Sequence, residues 1–307
     1  MNIMTMPTEG AKQAQRCRLL SHGKGVSMLC PAKINLTLSI NGKRDDGFHD
    51  LESVFIALDW YDQLTVRLTD GVVQLECSDP SLPSGKENLV VKAVELFMER
   101  TRLDHGVEIK LDKRIPVGGG FGGGSSDAAA TLMALNTLAR TDLSHERLAK
   151  WGAELGSDVP FFFQTPAAIC RGRGDQVEAL ESPPRLIVLL ITPPRHLFTA
   201  DVFSRFQFDP KQQRPSATTV LSDPRSWNEK CFNELTDAAF AVDPALKVLH
   251  EQIQDAIDCA VHVTGTGAGM FAIADSMQHA LELDSRAAKA PLDPLTPLTK
   301  IVRTNVW

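Results

Sequence analysis

The sequence predicts an α+β fold in two lobes, on three observations. Residues 29–40 alternate, with Ile34, Leu36, Leu38 and Ile40 on one face and Lys33, Asn35, Thr37 and Ser39 on the other, the period of a strand. Segments that begin at Asn88 and Ser144 place apolar residues three and four apart behind a capping side chain, the period of amphipathic helices. Strand-like and helix-like stretches then mix without the strict alternation of a parallel α/β chain.

The first strand is followed by a polar loop, KRDDGFHD (43–50), and by strands at 54–58, 64–69 and 72–77. Asn88 caps a helix that buries Leu89, Val90, Ala93, Val94, Leu96 and Phe97. A strand at 107–111 runs into PVGGGFGGGSSD (116–127), and the helix-forming AAATLMALNTLAR follows directly. Ser144 caps the next helix, with Leu148, Trp151 and Leu155 inward and Gly156 ending it. In LGSDVPFFF (155–163), Pro160 stops a helix and turns Val159 toward extended geometry, so Asp158 is expected at a corner between a helix and an apolar strand. Strands at 167–171 and 186–192 flank the Pro183-Pro184 pair, the candidate boundary between lobes. Helices are expected at 199–206, 228–240 and 243–257. A strand at 260–263 enters a second glycine loop, TGTGAG (264–269), and a strand at 270–274 leaves it. The expected organisation is a disordered or mobile extension at 1–27, lobes at 28–182 and 183–284, and a tail or surface-hugging segment at 285–307.

Composition narrows the function. A chain of 307 residues, 43% hydrophobic and 23% charged, builds a sizeable globular core. A net charge of −6 argues against nucleic-acid binding, which favours a basic surface. The longest aliphatic run, 186–191, is far too short to span a bilayer. Six scattered cysteines with no C-x-x-C pair read as reduced core thiols. No signal-peptide apolar stretch stands in residues 1–27, and a cytoplasmic protein, monomeric or weakly dimeric, is expected.

The glycine loop is the most informative stretch. From Gly118 to Gly124 only Phe121 is not glycine. Each ordered glycine costs about 0.5–1 kcal/mol relative to alanine, so the run implies that backbone must approach something closely. It ends at a helix N-terminus, where free N–H groups and the helix dipole favour an anion such as a nucleotide phosphate. A flexible linker is the plainer alternative, and Ser126 or Asp127 can serve as a simple N-cap. No Lys follows the glycines as in a P-loop, and Asp127 stands where a hydrolase elbow needs glycine.

Two charged residues sit in apolar surroundings, Lys33 within PAKINLTL and Asp158 beside VPFFF. A charge next to a core strand needs a partner. Each can be the other's, either as a structural ion pair or as catalytic machinery.

The segments PAKINLTLSINGKRDDGFHDLESVF, PVGGGFGGGSSDAAATLMALN, LGSDVPFFF and VTGTGAGMF resemble the ordered motifs of the GHMP kinase superfamily, over about residues 30–274. The resemblance implies the two-lobed GHMP kinase fold with its active site in the cleft between lobes. It is nearest to the members that transfer the γ-phosphoryl of ATP to the 2-hydroxyl of a cytidine-diphosphate-linked methylerythritol, in non-mevalonate isoprenoid synthesis. By that resemblance Asp158 accepts the hydroxyl proton and Lys33 positions both. Pro116, Val117, Gly118, Gly119, Gly120, Phe121, Gly122, Gly123, Gly124, Ser125 and Ser126 cradle the ATP phosphates, and Asn88 and Leu89 approach adenine. Asn35 neighbours the erythritol end, His49 reads cytosine, and Phe48 and Phe203 stack on the base. Gly265, Gly267 and Gly269 lie near the substrate diphosphate, although spacing alone also fits a tight turn. No protein-built metal site is expected, Mg²⁺ being carried mainly by the nucleotide. Phe48 stands where many relatives have Tyr, which keeps stacking and drops a hydroxyl. Two other readings remain at this point: a GHMP kinase acting on mevalonate, homoserine or a sugar, and a nucleotide-binding module without catalysis.

Overall fold

The computed structural model describes residues 17–19, 25–212, 215–222, 227–290 and 296–304. Its frame is a long bent hairpin. Strand β1 (Cys17–Leu19) pairs with β2 (Gly25–Lys43), which pairs antiparallel with β3 (His49–Thr69). The strands expected at 54–58 and 64–69 are therefore one. Register shifts at Pro31/Lys33, Asn35/Thr37 and Ile40/Gly42 let so long a pair bend rather than break. The bend sends the two halves of β3 to different partners. Beyond β4 (Gln74–Cys77) and α1 (Leu89–Thr101), strand β5 (Gly106–Asp112) pairs with residues 63–69. Helices α2 (Gly123–Ala139), α3 (His145–Leu155) and α4 (Phe161–Gln164) precede β6 (Ala167–Gly172), which pairs with residues 51–56 and carries β7 (Gln176–Ala179) on its outer edge.

The second sheet has the order β10-β11-β8-β12. Its centre is β8 (Ile187–Thr192), followed by α5 (Thr199–Arg205), α6 (Ala217–Leu221) and α7 (Trp227–Lys230). Strand β9 (Phe232–Asn233) crosses back to pair parallel with Thr37 and Leu38 of β2. Then come α8 (Thr236–Val242), α9 (Pro244–Ile257), β10 (His262–Val263), β11 (Met270–Ala274), α10 (Met277–Ala287) and β12 (Leu298–Arg303).

Three sequence expectations need correction. The apolar run after Asp158 is the short helix α4, not a strand: Pro160 stands at its N-cap, where a missing N–H costs nothing. The helix expected at 228–240 is interrupted by β9, because the Asn233 carboxamide donates to the carbonyls of Val263 (3.0 Å) and Gly265 (2.7 Å). Residues 298–303, expected in a tail or surface segment, form a strand fully paired with β8, and Thr304 bonds Leu186 and Pro184. Of the expected extension, residues 1–16 and 20–24 lie outside the described residues, and Cys17–Leu19 pairs with β2.

One core lies between the first sheet and helices α1–α4, around Phe97, Leu132, Phe161 and Phe162. A second lies under α8–α10. A third joins the lobes, packing Ile34, Leu36 and Ile56 against Phe121, Leu190 and Phe271. β2 is covered on its other side as well, Lys33 lying beside Phe55 and Gly122 and Asn35 bonding Thr264, so that Lys33, Asn35, Thr37 and Ser39 are each at most 4% exposed. Among the described residues no helix is long and apolar enough to cross a membrane.

Candidate active site

The β2 alternation turns Lys33 and Asn35 to the same face, toward the corner where α3 ends. There the Lys33 Nζ lies 3.2 Å from Asp158 Oδ2 and donates to Asn35 Oδ1 at 2.6 Å. It also sits 4.6 Å from the centre of the Phe55 ring. The lysine side chain is only 3% exposed, whereas that of Asp158 is 32% exposed. A buried ammonium needs such partners, and a ring face adds about 0.5–2 kcal/mol of cation–π attraction. The carboxylate stays accessible to a ligand. The charges therefore do meet, at the wall of a cavity.

Two loops face that pair. The first is tied to the strand by the Lys33 N–H donating to the Phe121 carbonyl at 2.8 Å. Helix α2 starts at Gly123 with Gly122 as N-cap, so neither Ser126 nor Asp127 caps it. The N–H groups of Gly123, Gly124 and Ser125 have no intrahelical acceptor, the arrangement that attracts an anion. The glycines let the loops touch backbone to backbone. Gly120 takes φ +74°, and a Cβ there would collide with the Thr264 carbonyl oxygen. The Gly269 N–H donates to the Gly119 carbonyl at 3.1 Å.

The first loop stands between two cavities. The larger, about 710 Å³, takes in Lys33, Asn35, Asp158, Phe48, His49 and Phe203, together with Gly265 and Gly267. The smaller, about 420 Å³, is lined by the whole of 116–125 and by Asn88 and Leu89. Gly118, Gly120, Gly122 and Ser125 border both. Ser126 lines neither. A helix turns successive residues about 100° apart, so Ser126 faces away when Ser125 faces the cavity, and its hydroxyl is buried without a hydrogen-bond partner among the described residues. Asn88 is also the α1 cap, accepting from Val90 N at 2.9 Å.

At the far end of the larger cavity the rings expected to meet a base pack against other side chains. His49 stacks on Phe203, with centroids 4.9 Å apart. Phe48 is half exposed and carries the Arg173 guanidinium 4.8 Å over its ring. Burial, then Lys43, pushes the His49 imidazole below its ordinary value, so it is neutral at pH 7.

Sequence reasoning missed several residues here. Arg173 and Thr199 line the larger cavity, and Thr199 borders the smaller one as well. Arg173 lies in a turn, RGRGD, whose composition says only that it is polar. Beneath the glycine loop Lys113 bridges Asp62 and Asp127, the latter at 2.8 Å. Burial raises Asp127 to about 7 against the pull of Lys113. Burial opposes the charge on Lys113 as well, yet the two carboxylates hold it above its ordinary value. Among the described residues no group of three or more His, Cys, Asp or Glu is placed to hold a metal ion.

Comparison with known proteins agrees with this geometry. The family profile described as GHMP kinases N terminal domain matches residues 88–165. A 4-diphosphocytidyl-2-C-methyl-D-erythritol kinase of Protochlamydia amoebophila is 40% identical over 249 residues, 81% of this chain and 84% of that protein. One from Shewanella oneidensis is 39% identical over 264 residues, 86% of this chain and 89% of that one. The crystal structure of a 4-(cytidine 5'-diphospho)-2C-methyl-D-erythritol kinase superposes with a TM-score of 0.75 at 29% identity, covering 91% of this chain and 100% of that one. A homoserine kinase from Cytophaga hutchinsonii shares the fold, with a TM-score of 0.70 at 20% identity over 94% of this chain and 97% of its own.

Proposed function

Because this chain belongs to the 4-diphosphocytidyl-2-C-methyl-D-erythritol kinases of the GHMP kinase superfamily, we propose that its two cavities meet to move one phosphoryl group between them. The enzyme is an ATP-dependent kinase of isoprenoid precursor synthesis by the non-mevalonate route. It transfers the γ-phosphoryl of ATP to the 2-hydroxyl of 4-diphosphocytidyl-2-C-methyl-D-erythritol. The observation that carries the site assignment is that Lys33 and Asp158 touch in the larger cavity, with Lys33 against Gly122, a residue that borders both cavities.

ATP occupies the smaller cavity, with its base near Asn88 and Leu89. Its phosphates lie along 116–125, where backbone N–H groups and the Ser125 hydroxyl are free to bind them. The cytidine moiety lies at the far end of the larger cavity, among Phe48, His49, Phe203 and Arg173. Its diphosphate passes Gly265 and Gly267, and the polyol reaches Asn35, Lys33 and Asp158. The Asp158 carboxylate accepts the 2-hydroxyl proton as the oxygen attacks the γ-phosphorus. The Lys33 ammonium holds that carboxylate in place and offers positive charge to the transferring group. The Ser125 hydroxyl would be the chain's contribution to an Mg²⁺ carried by the nucleotide, which would supply neutralising charge to the phosphate oxygens. On this reading the protein works in the cytoplasm as a monomer or weak homodimer.

The test is ADP release by the purified protein with ATP and 4-diphosphocytidyl-2-C-methyl-D-erythritol, with mevalonate and homoserine as controls. Turnover with the first substrate alone is expected. Turnover with either control instead would overturn the substrate assignment.

A further inference from the structure

Lys33 does not stand alone on its strand. It ends a train of buried hydrogen bonds whose direction is fixed. The Ser53 hydroxyl donates to the Thr37 carbonyl at 2.5 Å, so its oxygen is left to accept from the Asn35 carboxamide nitrogen, at 2.8 Å. That leaves the Asn35 carboxamide oxygen facing Lys33, which can only donate to it. A second residue fixes the same carboxamide from the other lobe. The Thr264 hydroxyl accepts from the Asn35 backbone N–H at 3.0 Å and donates to Asn35 Oδ1 at 3.3 Å, a reciprocal clasp on one residue. Ser53 and Thr264 are wholly buried and Asn35 nearly so.

Thr264 is also where the two glycine loops meet. Its carbonyl oxygen fills the space that a Cβ on Gly120 would need, and it accepts from the Gly267 N–H at 3.0 Å. Its N–H donates to the Gly269 carbonyl at 3.0 Å. The residue that clasps Asn35 therefore touches the loop assigned to ATP and belongs to the loop assigned to the substrate diphosphate.

We propose that Thr264 and Ser53 are positioning residues for phosphoryl transfer. Acting through Asn35, they aim the Lys33 ammonium at Asp158, and Thr264 makes that aim depend on the two loops being seated. This rests on the function proposed above. A buried network of this kind rewards full satisfaction and penalises a missing member, so removing one hydroxyl acts on the lysine even though neither residue reaches the reacting atoms.

The experiment compares Thr264→Val, which removes the hydroxyl at nearly constant volume, with Thr264→Ser, which keeps it. In Thr264→Val, kcat is expected to fall about tenfold or more, the scale of one buried hydrogen bond, with the KM for ATP within about threefold of wild type. Thr264→Ser should restore kcat to within about threefold. Ser53→Ala, from the other end of the train, should lower kcat in the same way. In an Asn35→Ala background, Thr264→Val should cost less than about twofold more, because the route to Lys33 is already cut. Thermal melting and active-site titration accompany each variant, since a purely structural role would lower melting temperature and active fraction but leave kcat per active site unchanged. Unchanged kcat per site in both Thr264→Val and Ser53→Ala, or a full multiplicative loss in the double variant, would overturn the proposal. Wild-type turnover in the same assay reports separately on the function itself.

Discussion

Lys33 is held by a carboxylate, a carboxamide and a ring face, and the three partners come from a corner, its own strand and the neighbouring strand. Its role is to keep one charge in one place. Asp158 does the complementary task, because it is partly open to a ligand. Asp158→Asn should lower kcat by at least about 10²-fold, the lower range for general-base help, while ATP affinity measured by calorimetry stays within about threefold. His49 makes the second residue-scale prediction. Its folded value lies below the ordinary 6.5, so the ring is neutral where the enzyme works. Affinity for cytidine diphosphate should be level between about pH 7 and 8 and weaken only as pH falls below the ordinary 6.5, when the ring takes a proton. Titration of the complex by calorimetry across that range checks it, and a loss starting above pH 7 would contradict it.

At the scale of elements, the site depends on two loops packed without side chains between them. Gly120 is one of the closest points between them, with positive φ and the Thr264 carbonyl oxygen where a Cβ would stand. Gly120→Ala adds about 1–2 kcal/mol of left-handed backbone strain and forces the loops apart. The expected result is a melting temperature lower by several degrees and a raised KM for ATP, measured by thermal scanning and initial rates. The Asp62–Lys113–Asp127 network supports the same loop from beneath, since Asp62 also accepts from the backbone N–H groups of Arg114 (2.5 Å) and Ile115 (2.8 Å). The residues just before the loop are thus fixed by a buried carboxylate, and the glycines begin from a rigid platform.

At the scale of the molecule, the cleft exists because a third core welds the lobes along β2. That seam covers Ile34 and Leu36, while Phe55, Gly122 and Thr264 cover Lys33 and Asn35, so a strand with an alternating pattern is buried on both faces. It also gives the end of the chain a structural task. Strand β12 covers one edge of β8, and Thr304 accepts from Leu186 N and donates to the Pro184 carbonyl. A chain ended after residue 296 should expose β8 and lose cooperative unfolding, seen as a broadened denaturant transition and aggregation. A sharp transition at the wild-type midpoint would refute that expectation.

Local chemistry along the chain was enough to find the capped helices, the glycine loop and the polar face that carries Lys33 and Asn35. Caps, turn glycines and a period of two act between near neighbours, so they survive in a linear reading. The family motifs then brought Lys33, Asp158 and the loops to one reaction. Only the folded chain decided that 54–58 and 64–69 are one bent strand, that the residues after Asp158 begin a helix, and that Ser126 turns away from the cavity. It alone joined Thr264 to Asn35 across 229 residues of sequence. Such contacts depend on which surfaces long-range burial brings together, and no periodicity within either segment records its partner.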